Sequence, residues 1–208
     1  MKKAIALLSS GIDSPVAAQI MKEKGLEIIG LHMDSRPFTD SRQISKTKRL
    51  CSKLGIKKLY IARHGLAMSE IIRNINRRFT CIVCRRLMFR TAERLAEKEK
   101  ADFIITGENL GQVASQTLDN LAINDRATGM IILRPLLCYD KQEIVNMAKE
   151  IGTYEISIEP PGCCRLVPKN PATKSTIEQI EKEEARAGVS NLVDNIVIEK
   201  AVIGGAQD

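Results

Sequence analysis

The chain has no tryptophan, and aromatic residues make up only 3% of its 208 positions. Reading single-stranded bases by stacking requires a row of aromatic platforms, so that mode of recognition is excluded. No apolar run approaches the ~18 residues of a membrane span, and the few apolar residues between Met1-Lys2-Lys3 and Ser9 are too short for a secretory signal. A cytoplasmic protein without membrane contact is expected. In that setting the six cysteines are not a disulfide framework. Two familiar nucleotide loops are also missing, since neither G-x-x-x-x-G-K-[ST] nor G-x-G-x-x-G occurs.

What is present is a globular composition, 44% hydrophobic and 27% charged, with a net charge of +7 that favours polyanionic partners. The first stretch with a clear pattern is Leu7-Leu8-Ser9-Ser10-Gly11-Ile12-Asp13-Ser14-Pro15. An apolar run from Ala4 to Leu8 predicts a buried strand, and Val16 to Lys24 predicts a helix with Ser14 as N-cap and Pro15 at its first position. A strand, a tight Ser/Gly turn and a helix N-terminus together make a phosphate site. Ser9 to Ser14 resembles the SGGxDS loop of N-type ATP pyrophosphatases, with Ser10 standing where that pattern has its first glycine.

Further along, strands are expected at 26–33, 57–62, 102–107 and 130–135, alternating with helices at 42–54, 66–79, 81–100 and 140–150. Residues 110–121 read as a polar helix carrying Gln112 and Gln116 on one face, and 173–187 as a charged helix. This alternation predicts an α/β three-layer sandwich with a parallel sheet. Residues 1–187 are expected to form one domain, and 188–208 a C-terminal extension.

Several residues have the chemistry of a transfer site. Asp13 offers a carboxylate for Mg²⁺ on a polyphosphate, or else caps the helix. His32 ends the second strand, where a sheet of this type holds its ligand. Arg85, Arg86 and Lys141 are cations able to neutralise a phosphate. Cys81-x-x-Cys84 and the adjacent Cys163-Cys164 suggest metal or sulfur chemistry, while Cys51 and Cys138 read as small core residues. Three thiolates with an open position suit a [4Fe–4S] cluster; a redox-active thiol set and structural zinc are the alternatives.

Taken together, several segments resemble the ThiI-type tRNA 4-thiouridine synthetases: Leu7–Ala18, Arg85-Arg86-Leu87-Met88, Thr106–Leu118, Arg134-Pro135-Leu136, Asp140–Ile144 and Ile151–Ile158. The resemblance implies an adenine nucleotide alpha hydrolase-like fold and ATP-dependent adenylation of a uridine C4 oxygen in tRNA, followed by replacement with sulfur. It implies that Leu7, Leu8, Ser9, Ser10, Gly11, Ser14, His32, Met33, Arg85, Gly107 and Gln116 contact ATP, and that Asp13 and Lys141 serve activation. Cys164, with Cys163 second, matches the sulfur-carrying cysteine, and Cys81 and Cys84 resemble the Cys-x-x-Cys of members that use a cluster, with Cys164 expected as its third ligand. No THUMP region or rhodanese domain is recognisable, so tRNA binding is expected through a separate THUMP-type protein, the basic surface or a homodimer. The sulfur donor is expected to be sulfide or a persulfide carrier. Competing readings are an adenylating enzyme for a small molecule or a sulfur-carrier protein, and a non-catalytic, metal-stapled RNA-binding module.

Overall fold

In a computed structural model, residues 1–160 and 164–203 are described. β1 (Lys3–Leu7) shows how the layers arise, because successive side chains of a strand point to opposite faces. Ile5 and Leu7 enter one apolar cluster, and Ala4 and Ala6, with Leu8 beyond the strand end, enter the other. Apolar residues on both faces make β1 the middle of a sandwich. β2 (Glu27–Met33) and β4 (Phe103–Ile105) flank it in parallel, with Leu7 opposite Leu31 and Ala6 opposite Ile105. β3 (Lys58–Ala62) and β5 (Ile131–Leu133) extend the sheet outward. With β6 (Ile198–Ala201) at the edge, the full order is β5-β4-β1-β2-β3-β6.

One helical layer, α1 (Asp13–Glu23), α2 (Arg42–Lys53), α6 (Lys141–Glu150) and α7 (Tyr154–Ile158), covers the face of Ala4 and Ala6. The other contains α3 (His64–Asn74), α4 (Thr80–Glu99), α5 (Leu118–Asp125), α8 (Ile177–Arg186) and α9 (Val189–Asp194). None of the helices among the described residues is long and apolar enough to cross a membrane. Of the segment expected as an extension, residues 188–203 pack into the same body. α9 lies on the core beside α4, and β6 (Ile198–Ala201) joins β3 as an antiparallel edge.

Local side-chain chemistry moved several predicted boundaries. The helix expected over 66–79 stops at Asn74, because the Asn76 side chain accepts from the Arg78 amide and starts a separate 3₁₀ turn, Arg77–Phe79. The helix expected from Thr173 begins at Ile177, where Thr176 and Gln179 form a capping box. Residues 110–117 are not a helix. Gly111, at φ +73°, breaks the pattern, leaving Gln112 exposed and Gln116 buried in a short 3₁₀ turn (Ala114–Gln116) ahead of α5.

Arg86 is not a phosphate ligand. It is 1% exposed, pairs with both oxygens of Glu184 at 2.7 and 3.0 Å, and donates to the Ile123 carbonyl, so it docks α8 and α5 onto α4. Arg90 reaches the same carboxylate at 2.7 Å. Burial pushes the Glu184 carboxyl upward, but hydrogen bonds from Arg90 and Arg86 outweigh it and hold it below its ordinary value. The stability so contributed is present at neutral pH and is lost as pH falls through that depressed value. Replacing Glu184 with Ala leaves Arg86 buried without its anion and should cost about 3 kcal/mol. Urea unfolding at pH 7 measures it, and the difference from the parent should narrow in acid.

Candidate active site

Parallel strands send all their following loops to one edge of the sheet, and in open α/β folds that edge is where ligands bind. Here it gathers the loops after Leu7, Met33, Ile105 and Leu133. The loop after β1 is folded by its own hydroxyls. The Ser9 amide donates to Ser14 Oγ at 2.8 Å, the two hydroxyls lie 3.0 Å apart, and the Gly11 amide donates to Ser9 Oγ at 3.3 Å. Ser14 is therefore not the N-cap. α1 begins at Asp13, and Ile12 before it makes no side-chain cap. Among the described residues the first amides of α1 have no acceptor, which is the condition for anion binding at a helix N-terminus. Ser10 is buried at 8% exposure.

His32 supports this loop from beneath. Its Nδ1 lies 2.9 Å from the Leu8 carbonyl, so Nδ1 carries the proton, and Thr47 Oγ1 lies 3.2 Å away. Burial pushes its pKa down, against the Leu8 hydrogen bond and the Asp34 charge, leaving a neutral ring. Met33 is buried in the core.

Gly107, after β4, meets α1 directly. A Cβ there would stand 2.7 Å from the Ser14 amide nitrogen and 2.8 Å from the Asp13 carbonyl carbon, so no other residue fits without moving the loop. The following residues lock this contact. Glu108 is 1% exposed and accepts from Thr106 Oγ1 at 3.0 Å and from Arg134 Nε at 2.8 Å. Arg85 Nε lies 3.2 Å from its other oxygen. Asn109 donates from its side chain to Leu136 O at 3.0 Å, and from its backbone to Gln116 Oε1 at 3.4 Å. The Gly111 amide closes the loop on the Gln116 carbonyl at 2.9 Å. Glu108, Asn109 and Arg134 lie in segments that carry the resemblance but had no role assigned from the sequence, although a carboxylate three residues beyond the apolar end of β4 was a signal.

Lys141 opens α6 and places Nζ 2.5 Å from Asp13 Oδ1, with the two side chains 49% and 24% exposed. Cation and carboxylate thus stand together at the mouth of the loop. The resemblance-derived residues around the loop converge on one edge, and Gln116 reaches them through Asn109.

The cysteines divide. Cys51 is buried in the core, with burial pushing its pKa up to about 12. Cys138 is exposed, contrary to expectation; it lies in the turn between β5 and α6, outside both apolar clusters. Cys81 and Cys84 sit in the first turns of α4. Burial raises both thiols, Cys84 to about 12; a nearby Cys164 adds to the rise and Arg85 opposes it. His64 Nε2 lies 3.2 Å from Cys84 Sγ, and burial and Arg85 push that imidazole down to about 4. The Leu166 amide points at Cys164 Sγ, 3.5 Å away. Cys163, the second expected sulfur carrier, lies outside the described residues. Among the described residues, no three His, Cys, Asp or Glu side chains converge on a metal position.

Residues 1–189 match the family model described as ThiI, thiamine biosynthesis protein. A probable tRNA sulfurtransferase of Moorella thermoacetica is 43% identical over 197 residues, covering 92% of this chain and 50% of that protein. One from Methanothermobacter thermautotrophicus is 40% identical over 200 residues, covering 93% and 51%. The chain thus spans about half the length of these relatives. Among solved structures, a 4-thiouridine synthetase–RNA complex with bound ATP superposes with a TM-score of 0.87 at 38% identity, covering 97% of this chain and 55% of that one. NMN synthetase from Francisella tularensis, at TM-score 0.59 and 15% identity, shares the fold alone.

Gly107→Ala tests the interlock. The added methyl must displace the Asp13–Ser14 backbone, so affinity for inorganic pyrophosphate as an anionic probe, measured by calorimetry, should fall at least about tenfold, with far-UV circular dichroism unchanged.

Proposed function

The chain belongs to the ThiI family, and from that premise we propose that it is an ATP-dependent tRNA sulfurtransferase, forming 4-thiouridine in a cytoplasmic setting. The observation that carries the reading is the apposition of a self-folded serine loop, the bare backbone of Gly107 and the Asp13–Lys141 pair at one sheet edge. The names of the relatives and of the ATP-bound neighbour support it.

In this reading the amides at the start of α1 receive the polyphosphate of ATP. Mg²⁺ is bound by one or two carboxylates plus phosphate oxygens, so Asp13 fits as its protein ligand and the ion supplies charge neutralisation on the tail. Lys141, beside Asp13, faces the charge that develops on departing pyrophosphate. The uridine O4 bonds to the α-phosphorus as the bond to the β-phosphate oxygen breaks; pyrophosphate leaves with that electron pair and the uracil N3 proton passes to solvent. Hydrosulfide then adds at C4, the C4–O bond breaks and AMP departs with its electrons. No oxidant or reductant is needed with sulfide as donor, and a persulfide carrier is the other donor class. A THUMP-type tRNA-binding module is the further partner in this reading, and a homodimer is compatible with it.

The thiols belong to the sulfur half of the reaction. Cys81 and Cys84, one turn apart on α4, are soft donors that suit iron, but with Cys164 they do not converge on one metal position among the described residues. A [4Fe–4S] cluster held by Cys81, Cys84 and a member of the Cys163–Cys164 pair therefore rests on the family resemblance, not on that geometry. When bound, such a cluster supplies an iron with an open position for a sulfur ligand.

Asp13→Ala should lower ATP-dependent pyrophosphate release on unmodified tRNA by roughly 100-fold while preserving the circular dichroism spectrum. Release that persists at the parent rate sinks the assignment, and release by the parent without tRNA points to a small-molecule acceptor. For the thiols, anaerobically purified protein should be brown, with iron and acid-labile sulfide. Colourless protein with stoichiometric zinc overturns the cluster.

A further inference from the structure

Lys46 is an anomaly on α2. It is 4% exposed, and an ammonium is almost never buried without a purpose or a partner. Among the described residues its hydrogen bonds run to no carboxylate. They run to two backbone carbonyls, Ser157 O at 3.1 Å and Glu159 O, at the end of α7 just before Pro160. One turn further along α2, Arg49 grips the Glu159 carboxylate with both guanidinium nitrogens, at 2.6 and 2.9 Å. The loop leading into α2 holds the far side of the same segment, since the Arg165 amide donates to the Phe38 carbonyl at 3.1 Å. α7 in turn touches the phosphate loop, because Ser157 Oγ donates to Gly11 O at 3.3 Å.

The residues on either side of the cysteine pair, Ser157 to Glu159 and Arg165, are therefore both held by the chain from Phe38 to Arg49, and Ser157 rests on the phosphate loop. We propose that Lys46, assisted by Arg49, is a positioning residue for sulfur transfer: it fixes the segment that carries Cys164 relative to the bound nucleotide, and adenylation does not require it. The inference rests on the sulfurtransferase reading for its purpose, though not for its geometry. A lysine is suited to the task because three N–H donors on one atom can bind converging carbonyls, which a side chain such as Met cannot do. Burial lowers the Lys46 pKa, the Glu159 charge opposes that and the Arg49 charge adds to it.

The test compares the parent chain with Lys46→Met and Arg49→Ala, using ATP, sulfide and unmodified tRNA. Pyrophosphate release and thiolated nucleoside, read by mass spectrometry, are followed separately. Lys46→Met should retain pyrophosphate release and lose thiolated product by about tenfold or more, since a misplaced reactant costs rate far more than binding. Equal losses in both, or no loss in either, overturn the proposal. Arg49 is half-exposed, so Arg49→Ala decides the matter if Lys46→Met does not fold; its thiolation should drop while release is kept, and unchanged thiolation is adverse. Independently of tRNA, brief native trypsin digestion should cut after Arg165 about tenfold faster in Lys46→Met, because the segment has lost an anchor. An unchanged rate counts against the clamp. A parent that releases pyrophosphate yet never thiolates tRNA sinks the functional reading, while the digestion still decides the clamp.

Discussion

Two backbones meet with nothing between them where Gly107 lies against the first residues of α1, and the rest of the site is built around that contact. The approach brings the end of β4 to the mouth of the phosphate loop, so that whatever occupies the loop is bordered by the 107–116 turn. Such an approach gives no affinity by itself. It must be held from behind, and Glu108, Thr106 and Arg134 form the brace, while Asn109 and Gln116 close the turn in front. Buried polar groups of this kind are costly unless satisfied, and the brace is largely satisfied within itself.

Charge is used in two ways in the molecule. Arg86 and Glu184 are buried charges that, with the partly exposed Arg90, dock helices within one layer. Asp13 and Lys141 are partly exposed and face the loop mouth, where an incoming polyphosphate can compete for the ammonium. A screened pair is worth little to stability and is easily parted, which suits a site that must exchange partners. Arg85 stands between these cases. It follows Cys84 in the chain, lies beside Glu108 and is partly exposed, so it links the thiol end of α4 to the nucleotide edge.

The nucleotide loop and the cysteine segment also share supports. Leu8 O is held by His32 and Gly11 O by Ser157, so the loop's two ends depend on β2 and on α7. α2 packs against α7 and carries Thr47 beside His32. One helix therefore braces the nucleotide end and the sulfur end together. The proposed reaction forms a bond first at phosphorus and then at the carbon bearing that oxygen, and it needs such shared framing because the second nucleophile must arrive where the first step left its product.

Periodicity in the sequence was sufficient for the α/β sandwich, since apolar runs such as Ala4–Leu8 and Leu26–Met33 have few other places to go than a sheet covered on both faces. The serine loop, Gly107, Gln116 and Lys141 could be picked out by their resemblance to a family, and Cys81-x-x-Cys84 by its spacing. Only tertiary structure could assign the charges. Arg85 and Arg86 are neighbours in sequence, yet the turn of α4 sends one to Glu108 at the site and the other into the core with Glu184. The edge strand β6 and the buried grip of Lys46 were likewise invisible, because both depend on partners more than a hundred residues away in the chain. Local pattern records which face a residue prefers. Which partner waits on that face is decided by the packing of distant segments, and no local pattern encodes it.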